Sequence, residues 1–166
     1  MDLEERVAAL ERRMAALEGE DRPAPAVGRD DFWALEGLKA QLAELGAADG
    51  GVLYTGAVRL PTGQRYEWQT GSLTDQLLDE DWTAAADSFA ALGHPVRLRL
   101  LREVLGGRRT AADLAALDDI GTTGQIYHHL RQLTAAGWLE TTGRGRHEVP
   151  AGRVVPLLVA LSVARP

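Results

Sequence analysis

The stretch Ala91–Pro150 reads ALGHPVRLRLLREVLGGRRTAADLAALDDIGTTGQIYHHLRQLTAAGWLETTGRGRHEVP, and its local signals decide the fold. Pro95 fits a first helical position, where the N–H it lacks would have no partner anyway. Val96, Leu98, Leu100, Leu101, Val104 and Leu105 then form a broad apolar face, and Gly106-Gly107 ends the segment. Thr110 with Asp113 is a T-x-x-D capping pattern, which predicts a short helix over Ala111–Leu117. Asp118–Gly121 makes a tight turn. Thr122 caps the next helix, on which Ile126, Leu130 and Leu133 form a buried stripe and which Gly137 closes. Trp138–Thr142 reads as a strand, Gly143-Arg144-Gly145-Arg146 as the tip of a hairpin, and His147-Glu148-Val149 as its return.

Two short helices, a tight turn between them and a basic hairpin directly after are the plan of a winged helix-turn-helix. The face opposite the stripe on the second helix carries Thr123, Gln125, Tyr127, His128, Arg131 and Gln132. These are side chains that double-stranded DNA requires. Glutamine can pair in a bidentate way with adenine and arginine with guanine, whereas Thr123 and Tyr127 can reach phosphate or a thymine methyl and His128 phosphate; Thr122 at the helix start is a further candidate DNA contact. His129 lies nearer the stripe and reads as packing. Arg144 and Arg146 project from a glycine-rich tip, which suits phosphate or minor-groove contact. The plain alternative is a solvated hairpin on a winged helix that does not bind DNA.

The charge pattern agrees. The 166 residues carry a net charge of −6, but unevenly. Residues 1–93 hold 18 acidic against 8 basic side chains, whereas residues 94–153 hold nine arginines against six acids. A basic block inside an acidic chain is the footprint of a local phosphate-binding surface. There is no cysteine, which removes disulfides, thiolate metal sites and cysteine nucleophiles, and which fits a cytoplasmic location. No apolar run approaches the roughly 18 residues of a membrane span, and the charged N-terminus does not resemble a secretory signal. No paired acid–base constellation, phosphate loop or nucleophile motif is present, so an enzyme is not expected.

Upstream, Leu3, Val7, Leu10, Met14 and Leu17 are spaced as an a/d heptad seam over residues 1–18. Glu11 and Glu18 at e positions face Arg6 and Arg13 at g positions in a parallel pair, so the charges predict a parallel coiled-coil dimer. The alternative is one amphipathic helix lying on its own domain. Residues 19–29, GEDRPAPAVGR, read as an extended linker. Within residues 30–81, Asp30–Leu45 reads as a helix ended by Gly46. Residues 52–60 and 64–70 read as strands joined by the Pro61-Thr62-Gly63 turn. Trp33, Tyr54, Tyr66, Trp68 and Trp82 either line a pocket for a small-molecule effector or are packing pairs over a small core, since both leave the same signature. Asp79-Glu80-Asp81 either holds a hard cation or forms the acidic first turn of the helix expected over Trp82–Leu92. No cofactor and no metal site is predicted.

GHPVRLRLL, TAADLAAL, TTGQIYHHLRQLTAAGWL and the GRGRHEV hairpin resemble the ArsR-type winged-helix transcriptional regulators over residues 84–164. The resemblance implies a homodimer, usually a repressor, whose recognition helices enter successive major grooves of double-stranded DNA. It places base reading at Thr123, Gln125, Tyr127 and His128 and the wing at Arg144 and Arg146. Many relatives sense metals through cysteine, histidine and carboxylate; the absence of cysteine and the placement of three of four histidines in the recognition helix or wing set this chain apart. The apolar segment Val154–Ala164, with Leu157, Leu158 and Leu161, needs cover, and a partner's copy would supply it. The expected architecture is mainly α with small β-hairpins: a winged helix-turn-helix at 82–164, preceded by a coiled-coil helix and a helix plus β-hairpin segment. A winged helix reused as a protein-interaction adaptor is the alternative function.

Overall fold

The computed structural model describes residues 32–118 and 120–165. The heptad seam of Leu3, Val7, Leu10, Met14 and Leu17 and the linker at 19–29 lie outside the described residues. The chain divides after Ala40 into two compact units. Of the first unit, residues 32–40 are described: they form the start of helix α1, Trp33–Leu45, with Lys39 paired to Glu36 at 2.8 Å on its exposed surface.

The second unit begins at Gln41. Gly46 (φ 66°) ends α1 in the left-handed conformation that side chains with a Cβ resist. Strands β1, Gly51–Arg59, and β2, Arg65–Leu73, form an antiparallel hairpin in which Tyr54 faces Thr70, Gly56 faces Trp68 and Val58 faces Tyr66. Helix α2, Thr74–Asp79, follows. The helix expected over Trp82–Leu92 is broken in two: a 3-10 turn, Trp82–Ala85, precedes helix α3, Ala86–Leu92. Asp81 starts that turn, its carboxylate accepting from the Thr83 N–H (2.9 Å) and hydroxyl (2.7 Å). These bonds favour the charged form and hold the Asp81 carboxyl below its ordinary value. Asp81 thus acts as the cap before the turn, a role neither reading of the acidic run named.

Helix α4, Pro95–Leu105, is capped by the His94 imidazole, whose Nδ1 accepts from the Val96 N–H. Helix α5, Ala111–Ala115, and helix α6, Thr123–Ala135, both begin in full capping boxes, at Thr110/Asp113 and Thr122/Gln125. Strands β3, Glu140–Thr142, and β4, Arg146–Glu148, form a short hairpin, and helix α7, Ala151–Val163, closes the described chain. Trp138 and Leu139, read from sequence as strand, instead precede β3 and plug the core at 5 % and 2 % exposure.

The core is apolar throughout among the described residues: Leu100, Leu101 and Val104 of α4, Leu114 of α5, Ile126, Leu130 and Leu133 of α6, and Val154 and Leu157 of α7. Fully burying each such side chain stabilises by roughly 1.5–3 kcal/mol. Helix α7 carries no charge from Val154 to Ala164. Its first half is covered within its own chain, because it packs across both strands of the β1–β2 hairpin. Leu157, expected at a dimer interface, is therefore fully buried in the monomer, and Val155 nearly so.

Gly56 allows this contact. A Cβ there would stand 2.6 Å from Val155 Cγ1, a side chain with no room to retreat. Gly56→Ala is expected to lower stability by about 1–3 kcal/mol in denaturant unfolding. Gly124→Ala, whose Cβ would meet nothing within 4 Å, should leave it unchanged or raise it by up to about 1 kcal/mol.

Candidate nucleic-acid interface

Helix α6 separates its two faces sharply. Ile126, Leu130 and Leu133 are each at most 1 % exposed, and they fix the helix to α4 and α5. Thr122, Thr123, Gly124, Gln125, Tyr127, His128 and Arg131 all lie on the exposed side, with Tyr127 at 51 %. The inward stripe thus presents a polar, basic face without any polar residue having to be buried. Glycine at position 124 leaves the helix backbone open to close approach at its N-terminal end.

The two ends of that face differ. At the start, Gln125 Oε1 accepts from the Thr122 N–H at 2.8 Å, while the Thr122 hydroxyl accepts from the Gln125 N–H. Both side chains are thereby committed to the helix terminus. Bidentate pairing of Gln125 with adenine uses its oxygen as well as its amide, so in that role the oxygen would be shared with, or released from, the capping box. Gln125 keeps an amide donor but is a positioning residue first. Further along, Arg131, Tyr127 and His128 have no hydrogen bond to other described residues through their side chains and remain available.

One of the nine arginines of the basic block holds the helix in place. Arg97 of α4 donates through Nε to the Ala91 carbonyl and through Nη2 to the Ala90 carbonyl, each at 2.6 Å. These are carbonyls of the last turn of α3, left without helical partners. Its Nη1 donates to Gln132 Oε1 of α6, also at 2.6 Å. One guanidinium thus ties three helices. Gln132, expected on the DNA-reading face, is used in this tie.

The hairpin after α6 is anchored from outside itself. The His147 N–H donates to the Arg109 carbonyl at 2.7 Å, and Thr110 bridges Arg146, so residues 109–110 lengthen the sheet edge. The Arg109 side chain donates to Glu148 Oε1 at 2.7 Å, in a half-buried ion pair, and also to Gln64 Oε1 at the turn of the β1–β2 hairpin. Arg146 is exposed, and Arg144 sits in the 3-10 turn Gly143–Gly145 at the tip. Arg109 was not singled out in the sequence, where one arginine beside another carries no mark of its partners.

The aromatic residues proposed as a pocket are placed as follows. Trp33 belongs to the first unit and is exposed. Tyr54, Tyr66 and Trp68 share one hairpin face, which α7 covers: the Trp68 ring lies 3.5 Å from where a Gly152 Cβ would be. Tyr66 borders a crevice of only about 10 Å³ and packs on the core. Trp82 is exposed and donates from Nε1 to the Leu77 carbonyl at 2.7 Å. Tyr66 and Trp68 thus serve as packing, and Trp82 as a local tether. Among the described residues no group of three histidines, cysteines or carboxylates is arranged to hold a metal ion.

Residues 92–142 match the family model of a helix-turn-helix domain. No curated protein and no solved structure matches the chain. The matched segment contains α4, α5, α6 and the first strand of the basic hairpin, and it supports a helix-turn-helix domain of the DNA-binding kind. No helix among the described residues is long and apolar enough to cross a membrane.

His128 and His129 of α6 and His94 at the start of α4 lie close together. The His94 and His129 rings are 4.6 Å apart, and those of His128 and His129 are 5.7 Å apart. Burial and then the neighbouring His94, Arg97 and His128 lower the His129 pKa, although Gln132 opposes the shift; burial also lowers that of His147. The Nδ1 atoms of both are buried without a hydrogen-bond partner. The folded state therefore binds protons more weakly than the unfolded chain, whose histidines titrate near 6.5. Stability should be flat above that pH and fall as the pH drops below it, until the folded histidines also protonate. Thermal melts from pH 7.5 to 5 should show this decline, and His129→Gln should reduce it.

Proposed function

We propose that the chain is a sequence-specific, dimeric transcription regulator of the ArsR type that binds double-stranded DNA and acts as a repressor. The observation that supports this reading best is the exposed face of α6: Tyr127, His128 and Arg131 are held outward by a fully buried stripe and are uncommitted to other described residues. In the proposed docking, α6 enters the major groove with Thr123 and Gly124 near the backbone and with Tyr127, His128 and Arg131 toward base edges and phosphates. Thr122 and Gln125 fix the helix start, and Arg144 and Arg146 lie along the adjacent groove.

Dimerisation belongs to the same proposal. Phe89 on α3 and Val163 near the end of α7 are 69 % and 77 % exposed, apolar side chains that a partner could cover. A two-fold pair that buries them would present two copies of α6 to half-sites about one helical turn apart. The heptad seam at 1–18 would add a second, parallel contact. No catalytic role and no cofactor are part of this reading.

Gel-shift titrations against DNA from the gene's own neighbourhood test it. Replacing Arg144 and Arg146 together with alanine should weaken binding to all sequences and flatten its salt dependence by nearly two counterions, at about 0.9 per phosphate contact. Arg131→Ala should instead cost about 1–3 kcal/mol on preferred sites and relax the preference. No shift at low salt, or no response to either change, would sink the DNA reading and favour an adaptor that binds protein.

A further inference from the structure

On the side of α4 away from α6 lies an open groove of about 750 Å³, bounded by α4, by α7 and by the Leu60–Pro61 corner of the β1–β2 hairpin. Its walls are aliphatic: Leu60, Leu98 and Leu105 on one side, and Leu157, Leu158 and Leu161 on the other. None of the five aromatic residues suggested by the sequence lines it. The volume falls within the roughly 300–1,000 Å³ of small-molecule sites, which combine apolar walls with a few convergent polar groups.

The polar groups here are cationic. Arg99 and Arg102, one helical turn apart on α4, both border the groove and are exposed, and neither is paired with a carboxylate among the described residues. The acid in the lining, Glu103, lies 3.6 Å from Arg108, which offsets its charge. An aliphatic trough with two unpaired guanidinium groups on its edge is complementary to an amphipathic anion, with its chain along the leucines and its head group on the arginines. A second copy of the chain fits less well. Two-fold contact through this face would bring Arg99 and Arg102 toward their own equivalents, with only the already neutralised Glu103 to meet them.

We propose that this groove is a binding site for a small organic acid with an aliphatic body, of the medium-chain carboxylate class. The groove lies on α4, the helix that packs on α6 and holds it through Arg97 and Gln132, so an occupant would bear on the element that presents the exposed face. The binding itself does not require that the chain bind DNA.

Calorimetric titration of the full chain without DNA tests the site, using decanoate, decan-1-ol and decylammonium below their aggregation limits. Decanoate should bind, with decanol at least about tenfold weaker and decylammonium weaker still. Arg99→Ala with Arg102→Ala, both exposed positions, should weaken decanoate about tenfold or more while leaving decanol within about twofold. Leu161→Glu should weaken decanoate more than decanol, since both lose an apolar contact but only the acid meets the added carboxylate. Failure of the wild-type chain to bind decanoate overturns the proposal, as does equal binding of acid and alcohol or an unchanged double variant. Sedimentation showing self-association that Leu161→Glu abolishes, with no decanoate binding, would assign the groove to a second copy instead. Each of these results leaves the gel-shift test of α6 unaffected.

Discussion

A helix with eleven successive uncharged residues, Val154–Ala164, cannot lie on a small protein without something to lie against, and the answer in this chain is a hairpin nearly a hundred residues upstream. The fit depends on a glycine. At Gly56 the strand has no side chain, and Val155 takes the space one would have filled. This contact makes the β1–β2 hairpin part of the same core that fixes α4 and α6. The Leu60 corner, the groove beneath it and the reach of Gln64 to Arg109 all follow from where that hairpin is seated. The exposed face of α6 depends on it at one remove, through the packing of α4.

The helix-turn-helix was legible because its signals are local. Pro95, Gly106, Thr110, Asp113, Thr122 and Gly137 each act within one turn of themselves, and the stripe of Ile126, Leu130 and Leu133 has only one way to face. The seating of α7 was not legible. Its greasy sequence announced that it needed cover, but a partner copy and a distant hairpin satisfy that need equally, and Gly56 in a strand reads as weakness rather than as a socket. The hairpin aromatics were ambiguous for a related reason: the side chains that would line a cavity are the same as those that fill one.

The polar residues show the finer limit. Gln125 is both a good N3 capping residue and a good reader of adenine, and the sequence carries both meanings at once. The structure shows the carbonyl oxygen engaged by the Thr122 N–H, the first of the two meanings. Arg97 and Arg109 share a basic block with Arg131 and Arg146, so charge counting treated them alike. Their geometry separates them. Two are enclosed by carbonyls, a carboxylate and amide oxygens and serve the fold; the other two are exposed, with no such partners among the described residues.

Arg109 has an implication for how such a chain could diverge. With Glu148 on one side and Gln64 on the other, it makes the tip of the accessory hairpin and the strand of the basic hairpin neighbours through a single side chain. Lengthening the Pro61–Gly63 turn would move Gln64 and so alter what steadies β4. The helix-turn-helix domain is therefore not a cassette that can be cut out at its helical boundaries and moved to another scaffold unchanged. The accessory hairpin thus carries a constraint on the shape of the basic one.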